Sequence, residues 1–311
     1  MNKNSKYLAF PYLIWMAIFI IVPLALIVVF ACTTTVTVDA EGNYLSDDDV
    51  TAMYDEYYEE FGEDADEPEF DLAEKTVFTL DNILEVSKYM PTLINSIWLA
   101  IIATVICLVV AYPLSYLISR FSFDKQKMML MLVMLPMWMN FLLRTYAWMT
   151  LLERNGLINR FFALFNIGPF EMINTQGAVV LGMVYNYLPF MILPLYSIMT
   201  KIDSKTIEAA QDLGASGRNV LMRVILPLSM PGVASGISMV FVPAVSTFII
   251  SRMLGGGSNM LIGDLIDLQF LGNAYNPNLG AAMSLVLMVF ILLCMSITNA
   301  LDDDEMEAVL L

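Results

Sequence analysis

Long runs of apolar residues, separated by short polar segments, dominate this chain. Five of these runs carry no charged residue, and a sixth carries only Arg144. They lie at 7–31, 92–119, 128–152, 175–200, 224–251 and 279–301. A bilayer core is crossed by about 20 apolar residues in helical form. The pattern predicts an all-α integral membrane protein with six transmembrane helices. We expect the first helix to be retained, because it is longer than the apolar part of a signal peptide.

Lysine and arginine are unevenly distributed between the segments that connect these spans. Segments on the side of the N-terminus hold nine of the 15 basic residues, and the opposite segments hold five. Basic residues near span ends mark the cytoplasmic side of a membrane protein. The distribution therefore predicts that both termini lie in the cytoplasm.

Composition agrees with a membrane protein and isolates one unusual segment. Of the 311 residues, 58% are apolar and 15% are charged, and the net charge is −16. Soluble domains carry about 25% charged residues. Residues 32–90 hold 18 acidic and two basic residues, so 2 − 18 = −16 accounts for the whole imbalance. We predict an acidic extracellular insert there, either a solvated loop or a surface that docks a protein or concentrates cations.

Several classes of function lack the residues that they need. The chain has no histidine, and its three cysteines lie far apart beside or within apolar runs, so no metal site is predicted. It has no GxxxxGKS or GxxxxGKT phosphate loop, so we expect neither an enzyme nor a bound nucleotide. No basic surface for nucleic acid is present. A secondary transporter stays an alternative, although it would carry ionisable residues on several spans.

The polar segment between the fourth and fifth spans carries the most specific motif. Residues 201–223 read KIDSKTIEAAQDLGASGRNVLMR, with Asp203 as a predicted helix cap. Glu208-Ala209-Ala210 is followed by three residues and Gly214, and then by nine residues and Val224-Ile225-Leu226-Pro227. We predict a short helix, a turn at Gly214 and a second short helix on the cytoplasmic side of the membrane.

This spacing matches EAA-x3-G-x9-I-x-L-P, with Val224 in place of the isoleucine. On this motif the chain is identified as a member of the permease family of binding-protein-dependent ABC transporters. The resemblance implies that the loop docks as a coupling helix on a pair of separate ATPase subunits, which bind ATP and Mg²⁺. It also implies a second permease subunit, an extracellular solute-binding protein and a bacterial cytoplasmic (inner) membrane. The residues implied in ATPase coupling are Glu208, Ala209, Ala210, Gly214, Leu226 and Pro227.

Four further stretches resemble the spermidine/putrescine branch of that family. They lie at 80–84, 135–148, 187–199 and 253–271. The resemblance does not cover the acidic insert. It implies that the chain takes part in ATP-driven import of polyamines. Because relatives for ferric iron, opines and anions share the EAA loop, import of another such substrate stays an alternative.

The chain thus divides into four predicted segments. Residues 1–31 form the N-terminus and first transmembrane helix, and 32–90 form the acidic extracellular loop. Residues 91–301 form the permease transmembrane domain, with five helices and the coupling loop at 201–223. Residues 302–311 form a cytoplasmic tail.

A substrate that carries ammonium groups requires carboxylates and aromatic faces along its pathway. Residues of these types lie in and beside spans three and four and in a predicted short amphipathic helix at 261–270. These pathway candidates are Trp138, Tyr146, Trp148, Glu153, Tyr185, Tyr187, Asp264 and Asp267. An interfacial aromatic belt is the alternative for the rings, and a solvated helix face is the alternative for the two aspartates.

Arg144 lies well inside the third span, where an unpaired cation is costly. A cation would repel a polyamine, so we do not expect Arg144 to bind the substrate. We predict instead that it forms a structural ion pair with a carboxylate of the partner permease or of the binding protein.

Overall fold

The computed structural model describes residues 14–39, 43–45, 47–61, 72–257, 259–272 and 275–310. Five helices in these ranges are long and apolar enough to cross a membrane, or six if one bent pair counts as a single span. This confirms the prediction of a helical membrane protein. The predicted start of the first span at Tyr7, and residues 62–71 of the acidic insert, lie outside the described residues.

The chain forms two compact units, one of which contains Met1–Lys88 and Gln269–Leu287. In this unit, helix α1 covers Ile14–Ala31. The elements that follow are β1 (Thr33–Val38), β2 (Tyr44–Leu45), α2 (Asp47–Phe61), β3 (Ala73–Phe78) and α3 (Asp81–Glu85). The strands make an antiparallel sheet in the order β2-β1-β3. The side-chain amide of Asn82 donates to the Thr33 carbonyl at 2.8 Å and ties α3 to the sheet.

The sheet is a feature of residues 32–90 that was not predicted from the sequence. β1 reads TTTVTV and carries no charge, and β-branched residues of this kind favour extended backbone. Its partner β3 pairs Thr33 with Phe78 and Val38 with Ala73. Many of the acids lie instead on α2, which begins at Asp47. The high average charge of residues 32–90 therefore does not describe Thr33–Val38, a short uncharged segment that forms a strand.

The second unit contains Tyr89–Leu268 and Met288–Leu311. Its helices, with the two that cross the division, are α4 (Met90–Ser119), α5 (Phe123–Met134), α6 (Phe141–Leu152), α7 (Leu157–Ala163), α8 (Gln176–Met199), α9 (Ser204–Asp212), α10 (Gly217–Val220), α11 (Leu226–Val245), α12 (Ile249–Gly255), α13 (Ile262–Leu271) and α14 (Pro277–Leu310). Helices α4, α8 and α11 pack against one another. A Cβ at Gly232 would lie 3.1 Å from the Pro194 carbonyl oxygen, so a small residue permits this close approach.

The third predicted span does not form the single helix that its apolar pattern predicts. Helix α5 continues into a 3₁₀ turn at Leu135–Trp138, and α6 then starts in a new direction, with a bend of 89°. Pro136 lies in the turn and lacks a backbone donor. The Asn140 side chain accepts from the N–H of Leu142 at 2.8 Å and caps the first turn of α6.

The fifth predicted span, 224–251, also ends earlier than its apolar pattern indicates. Helix α11 stops at Val245, and α12 begins separately at Ile249. Helix α13 starts against this break, where a Cβ at Gly263 would lie 2.6 Å from the Thr247 carbonyl oxygen. Only glycine fits there without a shift of the surrounding backbone.

Candidate functional site

The EAA loop, residues 201–223, folds as two short helices, as its sequence predicts. Asp203 precedes α9, and its carboxylate accepts a hydrogen bond from the Lys205 N–H at 3.0 Å. This bond satisfies one of the free donors at the helix N-terminus. Ser216 caps α10 in the same way, through the N–H of Asn219.

Gly214 closes α9 in a Schellman motif. The N–H of Ala215 donates to the Ala210 carbonyl at 3.1 Å, and the N–H of Gly214 donates to the Gln211 carbonyl at 2.8 Å. Gly214 has a φ of +83°, which glycine adopts without steric cost. Ala210 is the last residue of the EAA triplet, so the three-residue spacing to Gly214 is the spacing that this helix end requires.

A small apolar core holds the two helices of the EAA loop together. It consists of three buried side chains, Ile207 of α9, Val220 of α10 and Ile225 at the base of α11. Partly buried Ala210 and Ala215 pack against it. The loop therefore has one buried face and presents the opposite face outward.

The outward face of the EAA loop carries three of the six predicted coupling residues. Glu208, Ala209 and Gly214 are exposed, and a Cβ at Gly214 would have no atom within 4 Å. Leu213 is 90% exposed, which is unusual for a leucine beside an apolar core. Ala210 and Leu226 are half-buried, and Pro227 is an exposed residue in the first turn of α11. The role of these residues in coupling stays a prediction.

The structure brings only some of the aromatic pathway candidates together. Trp148 of α6 and Tyr185 of α8 make an edge-to-face contact with ring centroids 5.3 Å apart. Tyr187 is buried, and its hydroxyl donates to the Pro243 carbonyl at 3.3 Å. Trp138 and Tyr146 are exposed, by 77% and 54%. That exposure is compatible with a membrane-facing belt as well as with a pathway.

The acidic candidates on α13 are held by an arginine that sequence reasoning did not connect to them. Arg252 of α12 donates from Nη2 to Asp267 Oδ2 at 2.5 Å, and its Nε lies 3.8 Å from Asp264 Oδ1. Asp264 Oδ2 accepts from the Leu261 N–H at 2.9 Å. Asp264 is 2% exposed, so a solvated helix face is wrong for this residue. Glu153, the remaining acidic candidate, is exposed at the end of α6.

Burial sets the electrostatics of Asp264. It raises the pKa of the Asp264 carboxyl above the ordinary value, because the charged form loses solvation. The Leu261 N–H and the Arg252 guanidinium oppose this shift without cancelling it. One guanidinium serves two carboxylates here, so the group has an excess of negative charge when both are ionised.

Arg144 is buried in α6, with 8% exposure. Its Nε and Nη1 atoms have no hydrogen-bond partner within the described part of the chain, and its guanidinium carbon lies 5.9 Å from the Phe141 ring centroid. The side-chain oxygen of Asn186, on the neighbouring helix α8, is also buried and unpaired among these residues. The ion pair predicted for Arg144 is therefore not made within the described residues.

Two concave regions of the described residues are lined by residues other than the pathway candidates. A cleft of about 490 Å³ is lined by residues between Leu152 and Leu181, among them Glu171. A groove of about 320 Å³ between α4, α11 and α14 is lined by apolar side chains, Thr104 and Thr298. Neither contains any of the eight predicted pathway residues.

Comparison with known proteins assigns the family. Residues 72–304 match the family described as "Binding-protein-dependent transport system inner membrane component". The chain belongs to this family. The match includes the EAA loop and all of the helices from α4 to α13.

Individual relatives of this permease are named for polyamine transport. The chain is 39% identical over 219 residues to the spermidine/putrescine transport system permease protein PotB of Escherichia coli (strain K12), covering 69% of this chain and 79% of the relative. It is also 39% identical over 211 residues to the PotB protein of Haemophilus influenzae, covering 65% of this chain and 74% of that one.

Solved structures agree with the fold of the permease. The crystal structure of a bacterial ABC transporter involved in the import of the acidic polysaccharide alginate matches with a TM-score of 0.71 and 14% identity. The match covers 97% of this chain and 95% of that one. At this identity the likeness shows the fold alone.

Two features of the permease site had no readable signal in the sequence. Arg252 precedes Asp264 and Asp267 by 12 and 15 residues across a glycine-rich turn, and no local periodicity relates them. Tyr116, which packs on the core of the EAA loop, lies about 90 residues before it. Contacts at such separations are decided by tertiary packing.

Proposed function

We propose that this chain is the membrane-spanning permease subunit of an ATP-driven ABC importer for polyamines of the spermidine and putrescine type. The observation that carries the proposal is the folded EAA loop, whose two short helices bury Ile207 and Val220. The loop exposes Glu208, Ala209 and Leu213. The 39% identity to spermidine/putrescine permeases supports the substrate class.

In this proposal the EAA loop docks on a separate ATPase. A pair of ATPase subunits of the PotA type binds ATP and Mg²⁺, and this chain supplies no residues to hydrolysis. Glu208 makes a cap or an ion pair in the docked state, and Gly214 holds the turn. Closure of the ATPases moves the loop and switches the permease between inward-facing and outward-facing states.

The remaining partners follow from the same assembly. A second permease of the PotC type completes the pathway, and a solute-binding protein of the PotD type delivers the substrate from outside. We place both termini and the EAA loop on the cytoplasmic side of the inner membrane, because nine of the 15 basic residues lie on that side. The acidic insert and the turn between α12 and α13 then lie outside.

Polyamines require both negative charge and aromatic faces. The Trp148–Tyr185 ring pair offers faces for an ammonium group. The partly exposed carboxylate of Asp267 and the exposed carboxylate of Glu153 offer charge. We assign Arg144 to an ion pair with a carboxylate of a partner chain, because its buried Nε and Nη1 lack an acceptor among the described residues.

A reconstituted complex tests this function. The chain is co-expressed with its ATPase, second permease and binding protein, and ATP hydrolysis is measured with spermidine, putrescine, a ferric complex or an anionic control. We expect the ATPase to co-purify with this chain. We also expect ATP hydrolysis to be stimulated by spermidine and putrescine and not by the ferric or anionic compound. Stimulation by the ferric or anionic compound instead would refute the substrate class, and absence of the ATPase would refute the coupling role.

A further inference from the structure

The core of the EAA loop makes contact with one large aromatic side chain from a membrane span. Among the partly buried apolar side chains of the described residues that pack on Ile207, Val220 and Ile225, Tyr116 of α4 is the one contributed from outside residues 202–225. We propose that Tyr116 is the side chain through which movement of the EAA loop is transmitted to α4. This inference rests on the proposed coupling function and adds a residue that the EAA motif does not contain.

The end of α4 that carries Tyr116 is firmly held. The guanidinium carbon of Arg120 lies 5.1 Å from the centroid of the Tyr116 ring. The Gln126 side-chain amide donates to the carbonyls of Ser119 and Phe121, at 3.1 and 2.7 Å. The Tyr196 hydroxyl donates to Gln126 Oε1 at 2.9 Å. These bonds connect the C-terminal ends of α4 and α8 to α5. A displacement of the Tyr116 ring is therefore expected to move the end of α4 together with the helices bonded to it.

A second contact lies one helical turn before Tyr116, on the same face of α4. The hydroxyls of Tyr112 and Ser229 are 2.9 Å apart. Ser229 is fully buried, and its hydroxyl donates to the Leu226 carbonyl at 3.0 Å, so Tyr112 is the donor in the bond between them. Helix α4 therefore contacts both the EAA loop, through Tyr116, and the first turn of α11, through Tyr112. Helix α11 follows the EAA loop in the chain.

The two tyrosines make different contacts, and this difference singles out Tyr116. The Tyr112 hydroxyl contacts Ser229 of the membrane helix α11. Tyr116 contacts the three-residue core that holds α9 and α10 together. Such a small core deforms if the loop moves without the ring, so the ring and the loop are expected to move together. An apolar ring is expected to suffice for this contact, because the three core residues present only apolar side chains.

The experiment compares Tyr116→Ala, Tyr116→Phe and the matched control Leu117→Ala in the reconstituted complex. Leu117 is the next residue on α4 and is 57% exposed, so it presents a large side chain away from the loop core. Four quantities are measured: the ATPase bound per permease, basal ATP hydrolysis, its stimulation by substrate-loaded binding protein, and substrate uptake.

We expect Tyr116→Ala to retain the ATPase and basal hydrolysis but to lose stimulation and uptake by about fivefold or more, the range of a typical coupling free energy. Tyr116→Phe and Leu117→Ala are expected to stay within about twofold of the wild type, as for substitutions that keep the relevant contact. Recovery by phenylalanine separates a packing role from a hydrogen-bonding one.

Three results would overturn the inference. They are normal stimulation in Tyr116→Ala, loss of the ATPase itself in that variant, and equal damage in Leu117→Ala. If Tyr116→Ala does not accumulate in the membrane, Tyr116→Leu is the second variant. Its side chain is apolar but smaller and shorter than the tyrosine ring, so it must still lose part of the stimulation. A wild-type complex that binds no ATPase would refute the proposed function. If substrate-loaded binding protein stimulates ATP hydrolysis equally in the wild type and in Tyr116→Ala, only the transmission role of Tyr116 is refuted.

Discussion

Gly214 offers a substitution whose local cost can be separated from its effect on a partner. Its φ of +83° is a conformation that residues with a Cβ adopt at a cost of about 1–2 kcal/mol, less for Asn and Asp. A Cβ there would meet nothing within 4 Å, so no clash adds to that cost. Gly214→Ala is therefore expected to destabilise the loop by about 1 kcal/mol, and Gly214→Asn by less.

Gly214→Asp has a small backbone cost but places a carboxylate on the outward face of the EAA loop. We expect this variant to insert in the membrane and to lose substrate-stimulated ATP hydrolysis, whereas Gly214→Asn retains part of it. The order of the losses in coupling would then differ from the order of the losses in stability. Charge and size at the docking face, and not strain, would explain that difference.

The assay is ATP hydrolysis by the purified complex with substrate-loaded binding protein, together with thermal unfolding of the permease in detergent. Gly217→Asp is the matched control, because a Cβ there also meets nothing within 4 Å and an acid at this helix start is favourable. Normal stimulated hydrolysis in Gly214→Asp would refute the docking assignment. Equal losses in Gly214→Ala and Gly214→Asp would show that backbone strain alone is responsible.

Three further predictions concern the membrane domain. Gly263→Ala places a Cβ 2.6 Å from the Thr247 carbonyl oxygen and should lower the free energy of unfolding by about 1–3 kcal/mol, measured as a lower Tm. The control Gly177→Ala has more space around the new Cβ and should leave the Tm unchanged. An unchanged Tm in Gly263→Ala would contradict the close contact. Because burial raises the pKa of Asp264 above its unfolded value, its contribution to stability is full below that unfolded value and is lost as the pH rises through the folded pKa. Asp264→Asn should remove this part of the pH dependence of unfolding, and an identical profile would refute the assignment. Arg144→Ala should abolish uptake while the chain stays in the membrane, and full uptake would exclude a required ion pair.

Local chemistry makes much of this protein readable from the sequence. Apolar runs of sufficient length determine which segments can cross a bilayer, since the helix satisfies its own backbone hydrogen bonds there. The ends of α9 are equally local, because Asp203 and Gly214 bond to backbone groups within five residues of them. The EAA spacing can therefore be interpreted from the sequence alone.

Only the tertiary structure showed which residues that are distant in the sequence contact one another. The sheet in the acidic insert pairs Thr33 with Phe78, and the buried Asp264 lies 3.8 Å from Arg252 of another helix. The sequence contains the proline and the asparagine at the break in the third span, but it does not give the 89° angle between the two helices. Backbone capping and helix length act over a few residues, whereas burial and pairing depend on which surfaces meet in the folded chain.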